Sequence, residues 1–372
     1  MLTGQNGILT KANEAKTKTE QAEIAEKRKL TQAEAAMNFE ETNHTETIDG
    51  NEITVKIPAY CAVSQVEGEN TLDKGLVIID KNGNEWVWIE VPKTIFTATS
   101  NTDDTKIKEN LISYATEYRE GKTGQGKNWS DEYYDGCGVT ATETKTAPQV
   151  YEEMYNKMLT SVYNNGGFYI GKYEVGDETT TSAGLTGRTE ESTTQTPVIQ
   201  KDKYPYNYVT CSQAQTLSST LATGGKTSSL MFGIQWDLVM KYLEVKGKKS
   251  VADLKTNSTS WGNYYDGRFN LTTGSYSEDY GASWTVAPKE KTSDGNILVT
   301  TGSILENSCM NVYDIAGNVW EWTLEHATSN SLGPCAIRGG DYYNVGSGSP
   351  ASNRDSLDTT DSSSIGFRST LY

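Results

Sequence analysis

The chain has 372 residues, enough for one large domain or two ordinary ones. Its 33 basic and 49 acidic side chains give a formal charge of −16, which argues against nucleic acid and against an anionic membrane surface as partners. The five cysteines (Cys61, Cys137, Cys211, Cys309, Cys335) form no CxxC pair, and the two histidines, His44 and His326, have no suggestive neighbours, so a zinc ribbon, a His-based metal centre and a Ser-His-Asp triad are all unsupported. The odd cysteine count leaves at least one free thiol or a bridge between chains. Tyr outnumbers Phe by 22 to 6, a sign of amphipathic aromatics at or near a surface.

In chain order, residues 8–41 read as one long helix: no Gly or Pro, rich in Ala, Glu, Lys and Gln, with a thin apolar stripe. LTGQNGILTKANEAKTKTEQAE at 2–23 resembles the segment that follows the membrane-spanning N-terminal helix of bacterial type IV pilin-like proteins, through Gly4, Asn6, Gly7, Ile8, Ala12 and Ala15. The apolar run that precedes this segment in such proteins is missing from the sequence. The resemblance implies anchoring outside the cell and contacts with other pilin subunits.

Beyond residue 49 the pattern turns strand-like. GLVIIDKNGNEWVWIEVP at 75–92 predicts a hairpin with a type I′ turn at Asn82-Gly83. A helix is expected around 103–119, a strand over 166–176, a surface loop over 177–200, helices over 213–222 and 230–246, an aromatic turn region at 260–270, and short strands over 311–325. No internal repeat and no further domain boundary is visible.

The end of the chain holds the oddest composition. Between Arg338-Gly-Gly and Gly-Phe-Arg368, residues 341–364 are four Asp, two Tyr, two Asn, seven Ser, two Gly, two Thr and single Val, Pro, Ala, Arg and Leu. Lys, Glu, Gln, Met and Trp make up roughly a fifth of the whole chain, so about five would be expected in such a span. None occurs. Loop chemistry explains Ser, Asp, Asn and Gly but not the loss of Lys, Glu and Gln, which are common on surfaces. Rewriting the two adenines of Asn codons explains the whole pattern, because those five residue types are the ones such codons cannot reach. That is the imprint of diversity-generating retroelements.

Four pieces line up in order: GGFYIGKYEVG (166–176), LMFGIQWDLVMKYL (230–243), NVYDIAGNVWEWT (311–323) and IRGGDYYN…IGFR (337–368). Together they resemble the formylglycine-generating enzyme (sulfatase-modifying factor) family. The resemblance implies an α+β C-type lectin fold, here preceded by a long N-terminal α-helix, with residues 1–48 as a pilin-like helix and 49–372 as the lectin domain. It implies a structural Ca²⁺ held by the side chains of Asp314 and Glu321 and the carbonyls of Gly317 and Val319, hard oxygen ligands suited to that ion; capping of backbone amides is the plain alternative for both carboxylates. The family's oxidase chemistry uses two cysteines shortly after RGG with copper, and this chain has none there; Cys309 and Cys335 both precede that position. A histidine-iron centre and the sugar signatures EPN, QPD and WND are also missing. Retroelement target proteins share this fold and carry their variable region before a GFR-type ending.

The expected function is therefore binding without catalysis, through a variable region at 338–368 displayed on a cell surface or pilus. A rigid scaffold presenting Tyr, Ser, Asn, Asp and Gly works as an antibody paratope does. Tyr342 and Tyr343 are the expected anchors. Asp341, Asn344, Ser347, Ser349, Ser352, Asn353, Asp355, Ser356, Asp358, Asp361, Ser362, Ser363 and Ser364 are the expected adaptable contacts. Pro350, Ala351 and Arg354 read as fixed scaffold. The partner is an unknown protein or other surface ligand. Two alternatives remain: a copper-dependent oxidase using Cys309 or Cys335, and a structural pilus or phage tail subunit.

Overall fold

The computed structural model describes residues 3–120, 129–131, 136–179, 193–328, 334–358 and 362–372; for 3–10 and 12–14 only the backbone is described. Helix α1 spans Thr3–Met37 and ends earlier than its composition suggests, because Thr42 already pairs with Ile57. That pairing opens a hairpin of β1 (Thr42–Ile48) and β2 (Asn51–Ile57). Its two-residue tip, Asp49-Gly50, takes φ of 50° and 79°, the type I′ geometry. The expected domain boundary at residue 49 falls on this tip.

The C-terminal half of α1 is fixed by charge. Arg28 pairs with Glu69 and Glu85, each at 3.0 Å, and Lys172, buried, bonds the same two carboxylates. Gln32 donates to the Lys81 carbonyl at 3.1 Å. The helix is thus held by polar contacts at one end and by few apolar ones, as its narrow stripe predicts.

A six-stranded antiparallel sheet follows. Its members in chain order are β3 (Cys61–Val63), β4 (Val77–Asp80), β5 (Glu85–Glu90), β7 (Gly167–Gly171), β8 (Ser228–Leu230) and β13 (Ser369–Leu371), arranged β8-β13-β7-β5-β4-β3. The β4–β5 hairpin forms as predicted, but its turn is not type I′. Gly83 alone has positive φ (83°), and the Asp80 carboxylate accepts the amides of Asn82 and Asn84. That acceptor makes a wider turn stable with Asn82 in an ordinary conformation.

Helices α2 (Asp104–Tyr114), α3 (Ala147–Asn165), α4 (Cys211–Ser219) and α5 (Gly233–Val245) pack around the strands. The expected helix at 230–246 divides: Ser228–Leu230 is strand β8, and α5 starts after Phe232, whose amide is capped by Gln235. The second sheet carries the C-terminal motifs. Its strands are β9 (Trp320–Ala327), β10 (Cys335–Arg338), β11 (Arg354–Leu357) and β12 (Ile365–Phe367), ordered β11-β10-β9-β12, with β6 (Trp129–Ser130) adding to β9. Only the β9–β12 pair is parallel among these.

The chain leaves β12 in the second sheet and enters β13 in the first, with Arg368 as the single residue between them. One apolar core joins the two sheets and includes Trp86, Phe168, Trp236, Trp322 and Phe367, all buried. Among the described residues no helix is long and apolar enough to cross a membrane.

Candidate functional site

The two arginines that flank the odd run are fully buried and each is bound to carboxylates. Arg338 donates to Asp237 and Glu325 at 3.0 Å each, and to the Asn353 carbonyl. Directly opposite it across the β10–β11 ladder stands Arg354, which also bonds both acids and the Tyr118 carbonyl. Arg119 completes the group with Asp237 and Asp131. Three guanidinium groups therefore balance three carboxylates in the core, which is how a buried charge avoids its desolvation penalty. The pairing is strong enough to hold the buried Glu325 carboxyl below its usual range against the opposing effect of burial. Arg368 is the second anchor: it pairs with Glu321 at 2.7 Å and donates to the carbonyls of Gly171 and Tyr313, tying both sheets together.

Between these anchors the run is an ordered loop. Gly339 and Gly340 have φ of 92° and 79°, and a Cβ on Gly340 would lie 2.3 Å from the Ser349 carbonyl. The stretch 341–353 is laced to 254–266: Tyr265 N–H donates to Asn344 O, Ser258 N–H to Gly346 O, Gly346 N–H to Asp266, Ala351 N–H to the Ser258 hydroxyl, and Ser352 N–H to Leu254 O. Trp236 Nε1 donates to the Ala351 carbonyl at 3.0 Å. Backbone polar groups that would otherwise favour a solvated, mobile segment are thereby paired.

This lacing sorts the expected contact residues. Tyr343, Ser347, Asp355 and Asp358 are exposed; Asn344, Ser349, Ser356, Ser362, Ser363 and Ser364 are half-buried; Asp361 lies outside the described residues. Four others are buried, which corrects their placement on the surface: Asp341, Tyr342, Ser352 and Asn353. The Asp341 carboxylate accepts the amides of Tyr343 and Asn344, and so shapes the loop from within. Tyr342 packs with Tyr204, Trp284, Leu298 and Val319 in a small apolar cluster. Sequence reading could not separate Tyr342 from Tyr343, because a loop lacks the periodicity that marks a buried face. It also missed Val345, 42% exposed, and Tyr280, which stacks on Tyr343 from outside the run.

Burial pushes the Asp341 carboxyl up to about 6. A raised carboxyl keeps its proton in the native state while the unfolded chain has lost it. Its contribution to stability is therefore complete below the unfolded value near 4 and fades as pH rises through 6. Asp341→Asn should flatten that slope, so that the stability of wild type relative to the variant falls by on the order of 2–3 kcal/mol between pH 4 and 7 in urea titrations.

The YDIAGNVWEW loop is sharply bent: Asp314, Gly317 and Asn318 have φ of 56°, 79° and 63°. Asp314 Oδ2 accepts the Gly302 amide, and its buried Oδ1 has no hydrogen-bond partner. Glu321 is engaged by Arg368 through both oxygens. A third carboxylate, Glu174, lies in the same interior and accepts from Asn318 Nδ2 and the Val319 amide. Burial pushes Asp314 up to about 6, Glu321 up to about 7 and Glu174 well above its usual range. Among the described residues no three His, Cys, Asp or Glu side chains converge as a metal-holding cluster. Of the two expected side-chain ligands, Asp314 thus keeps an unpartnered oxygen, while both oxygens of Glu321 are engaged by an arginine.

All five cysteines are buried as thiols. Burial raises the Cys309 thiol and lifts Cys61 to about 12. The thiolate is the reactive form, so native protein at pH 8 should leave a disulfide reagent unreacted over minutes and release the full complement on unfolding. A cavity of about 680 Å³ is lined by residues of α2 and α3, including Asp104, Tyr151 and Tyr155, and by Asp131 after β6; none belongs to the run 338–368.

The family described as "Sulfatase-modifying factor enzyme 1-like domain" matches residues 142–371, which contain all four motif segments and both arginine anchors. No curated protein matches the chain. Among solved structures, Treponema denticola variable protein 1 is similar at 12% identity, over 88% of this chain and 98% of that one, with a TM-score of 0.24.

Proposed function

We propose that this chain, which belongs to the sulfatase-modifying factor enzyme 1-like domain family, is a member that binds a ligand through its C-terminal run and performs no chemistry. The observation that carries the reading is the contrast along 338–368. Residues with exposed side chains are interspersed with buried ones, all from a set that lacks Lys, Glu, Gln, Met and Trp, while the frame is fixed by buried arginines. A fixed frame with a changeable face is the arrangement of a diversified binder. Retroelement rewriting of Asn-type codons accounts for the composition. Display outside the cell, through a pilin-like N-terminal segment that also contacts other pilin subunits, belongs to the same proposal.

The experiment is on the DNA. A near-copy of the gene's 3′ end, differing at adenines and lying beside a reverse transcriptase gene, is the expected result. An uninterrupted neighbourhood with no such copy would overturn diversification. The oxidase alternative has its own test. Cysteine-containing peptides, with and without copper, should show no turnover, and turnover abolished by Cys309→Ser or Cys335→Ser would establish the enzyme instead.

A structural Ca²⁺ on the Asp314 loop is part of this proposal and rests on the unpartnered Asp314 Oδ1. When bound, it would neutralise buried negative charge; the chain's part is to hold Asp314 and the Gly317 and Val319 carbonyls in one bend. Millimolar Ca²⁺ should raise the unfolding temperature, and chelator should reverse the rise. An unchanged transition in both, or a rise that persists in Asp314→Ala, would remove the ion from the account.

A further inference from the structure

Tyr280 lies outside the odd run, in the loop that follows Ser275–Ser277, yet its ring lies parallel to that of Tyr343 at 5.1 Å with 6° between planes. Tyr343 in turn touches Tyr342 at 4.7 Å, and Tyr342 packs with Trp284 and Tyr204 below. The aromatic column rises from a buried base to two rings that are 45% and 37% exposed. Tyr280 also holds a φ of 67°. Left-handed backbone is unfavourable for a bulky side chain, and a glycine, such as its neighbour Gly281, would occupy it without strain. A tyrosine kept there, half out in solvent, is strain in exchange for an exposed ring.

A carboxylate stands beside the exposed end of this column. Asp279, adjacent and exposed, is held below the usual carboxylate range by the hydroxyl and amide of Ser283. Elsewhere in the run, Asp355 and Asp358 are exposed on and after β11. The run's single basic residue, Arg354, is buried in its ion pairs, and the chain as a whole carries −16.

We propose that Tyr280 and Tyr343 form one binding platform, half constant scaffold and half changeable run, and that its occupant is a basic polypeptide segment whose Arg or Lys side chain lies against the exposed phenol surfaces. Cations are attracted to aromatic faces, and the adjacent Asp279 together with the chain's net negative charge complements the rest of such a segment. This rests on the reading of the run as a binding face. It adds a residue that diversification would never touch: Tyr280 would supply a fixed preference for cationic partners, while changes at 343 and beyond would tune which one is held.

The test pans the full chain against a phage-displayed random peptide library, then measures a synthetic copy of the most enriched peptide on Tyr280→Gly, Tyr280→Phe and Tyr343→Ala. Glycine suits the backbone at 280, so that variant should unfold at or above the wild-type temperature, which separates folding from binding. Enriched peptides should contain Arg and Lys above the input library. Affinity should fall about tenfold in Tyr280→Gly and persist in Tyr280→Phe. Peptides without basic enrichment, or a Tyr280→Gly variant that binds like wild type, would overturn the platform. If Tyr343→Ala alone loses binding, the platform falls and the run keeps its role. If no peptide is enriched, or neither tyrosine matters, the binding-face reading falls as well.

Discussion

Arg354→Met is expected to destabilise the protein by about 3–5 kcal/mol, read as a drop in the urea midpoint at unchanged slope. Arg354 has no exposed surface and bonds Glu325 at 2.8 Å and Asp237 at 2.6 and 2.7 Å, and it donates to the Tyr118 carbonyl at 2.7 Å. Removing it leaves three buried carboxylates, Asp131, Asp237 and Glu325, to share Arg338 and Arg119, and an uncompensated buried charge is what makes such a loss large. Asp358→Ala, on the exposed end of the same segment, should change stability by less than about 0.5 kcal/mol. Similar effects for the two substitutions would mean that the arginine network does not hold the frame.

The second large effect separates two neighbouring tyrosines. Tyr342→Ala should cost about 3–5 kcal/mol, since it empties a site enclosed by Tyr204, Trp284, Leu298 and Val319. Tyr343→Ala should leave stability within about 1 kcal/mol and remove binding, because its ring is 37% exposed and its neighbours are Tyr342 and the still more exposed Tyr280. Equal effects on stability would erase the distinction between pedestal and face.

That distinction also marks where the sequence runs out. The α+β lectin-type fold was legible because YDIAGNVWEW, RGG and GFR are local motifs, and the family match over 142–371 contains them all. Helix α5 and the β4–β5 hairpin were legible from periodicity. The buried partners of Arg338 and Arg354 were not: Asp237 lies on α5 and Glu325 on β9, and nothing local in either stretch announces that they meet. The turn at Asn82-Gly83 was misjudged because Asp80 offered the backbone a competing acceptor, while the type I′ turn belongs to Asp49-Gly50. Tyr280 was invisible for the same reason as Asp237. Its partner, Tyr343, is far away in the chain, and only the folded loop brings the two rings together.

The central claim is a changeable face on a fixed frame, and deep sequencing of the gene's 3′ end across a cell population tests it most directly. Substitutions should concentrate at adenines in codons of exposed or half-buried positions, such as 343, 344, 347, 355, 356 and 358. Arg338, Arg354 and Arg368 should remain constant, and Lys, Glu, Gln, Met and Trp should stay absent from 341–364. Variation spread evenly over the domain, or the routine appearance of those five residue types within the run, would contradict the account.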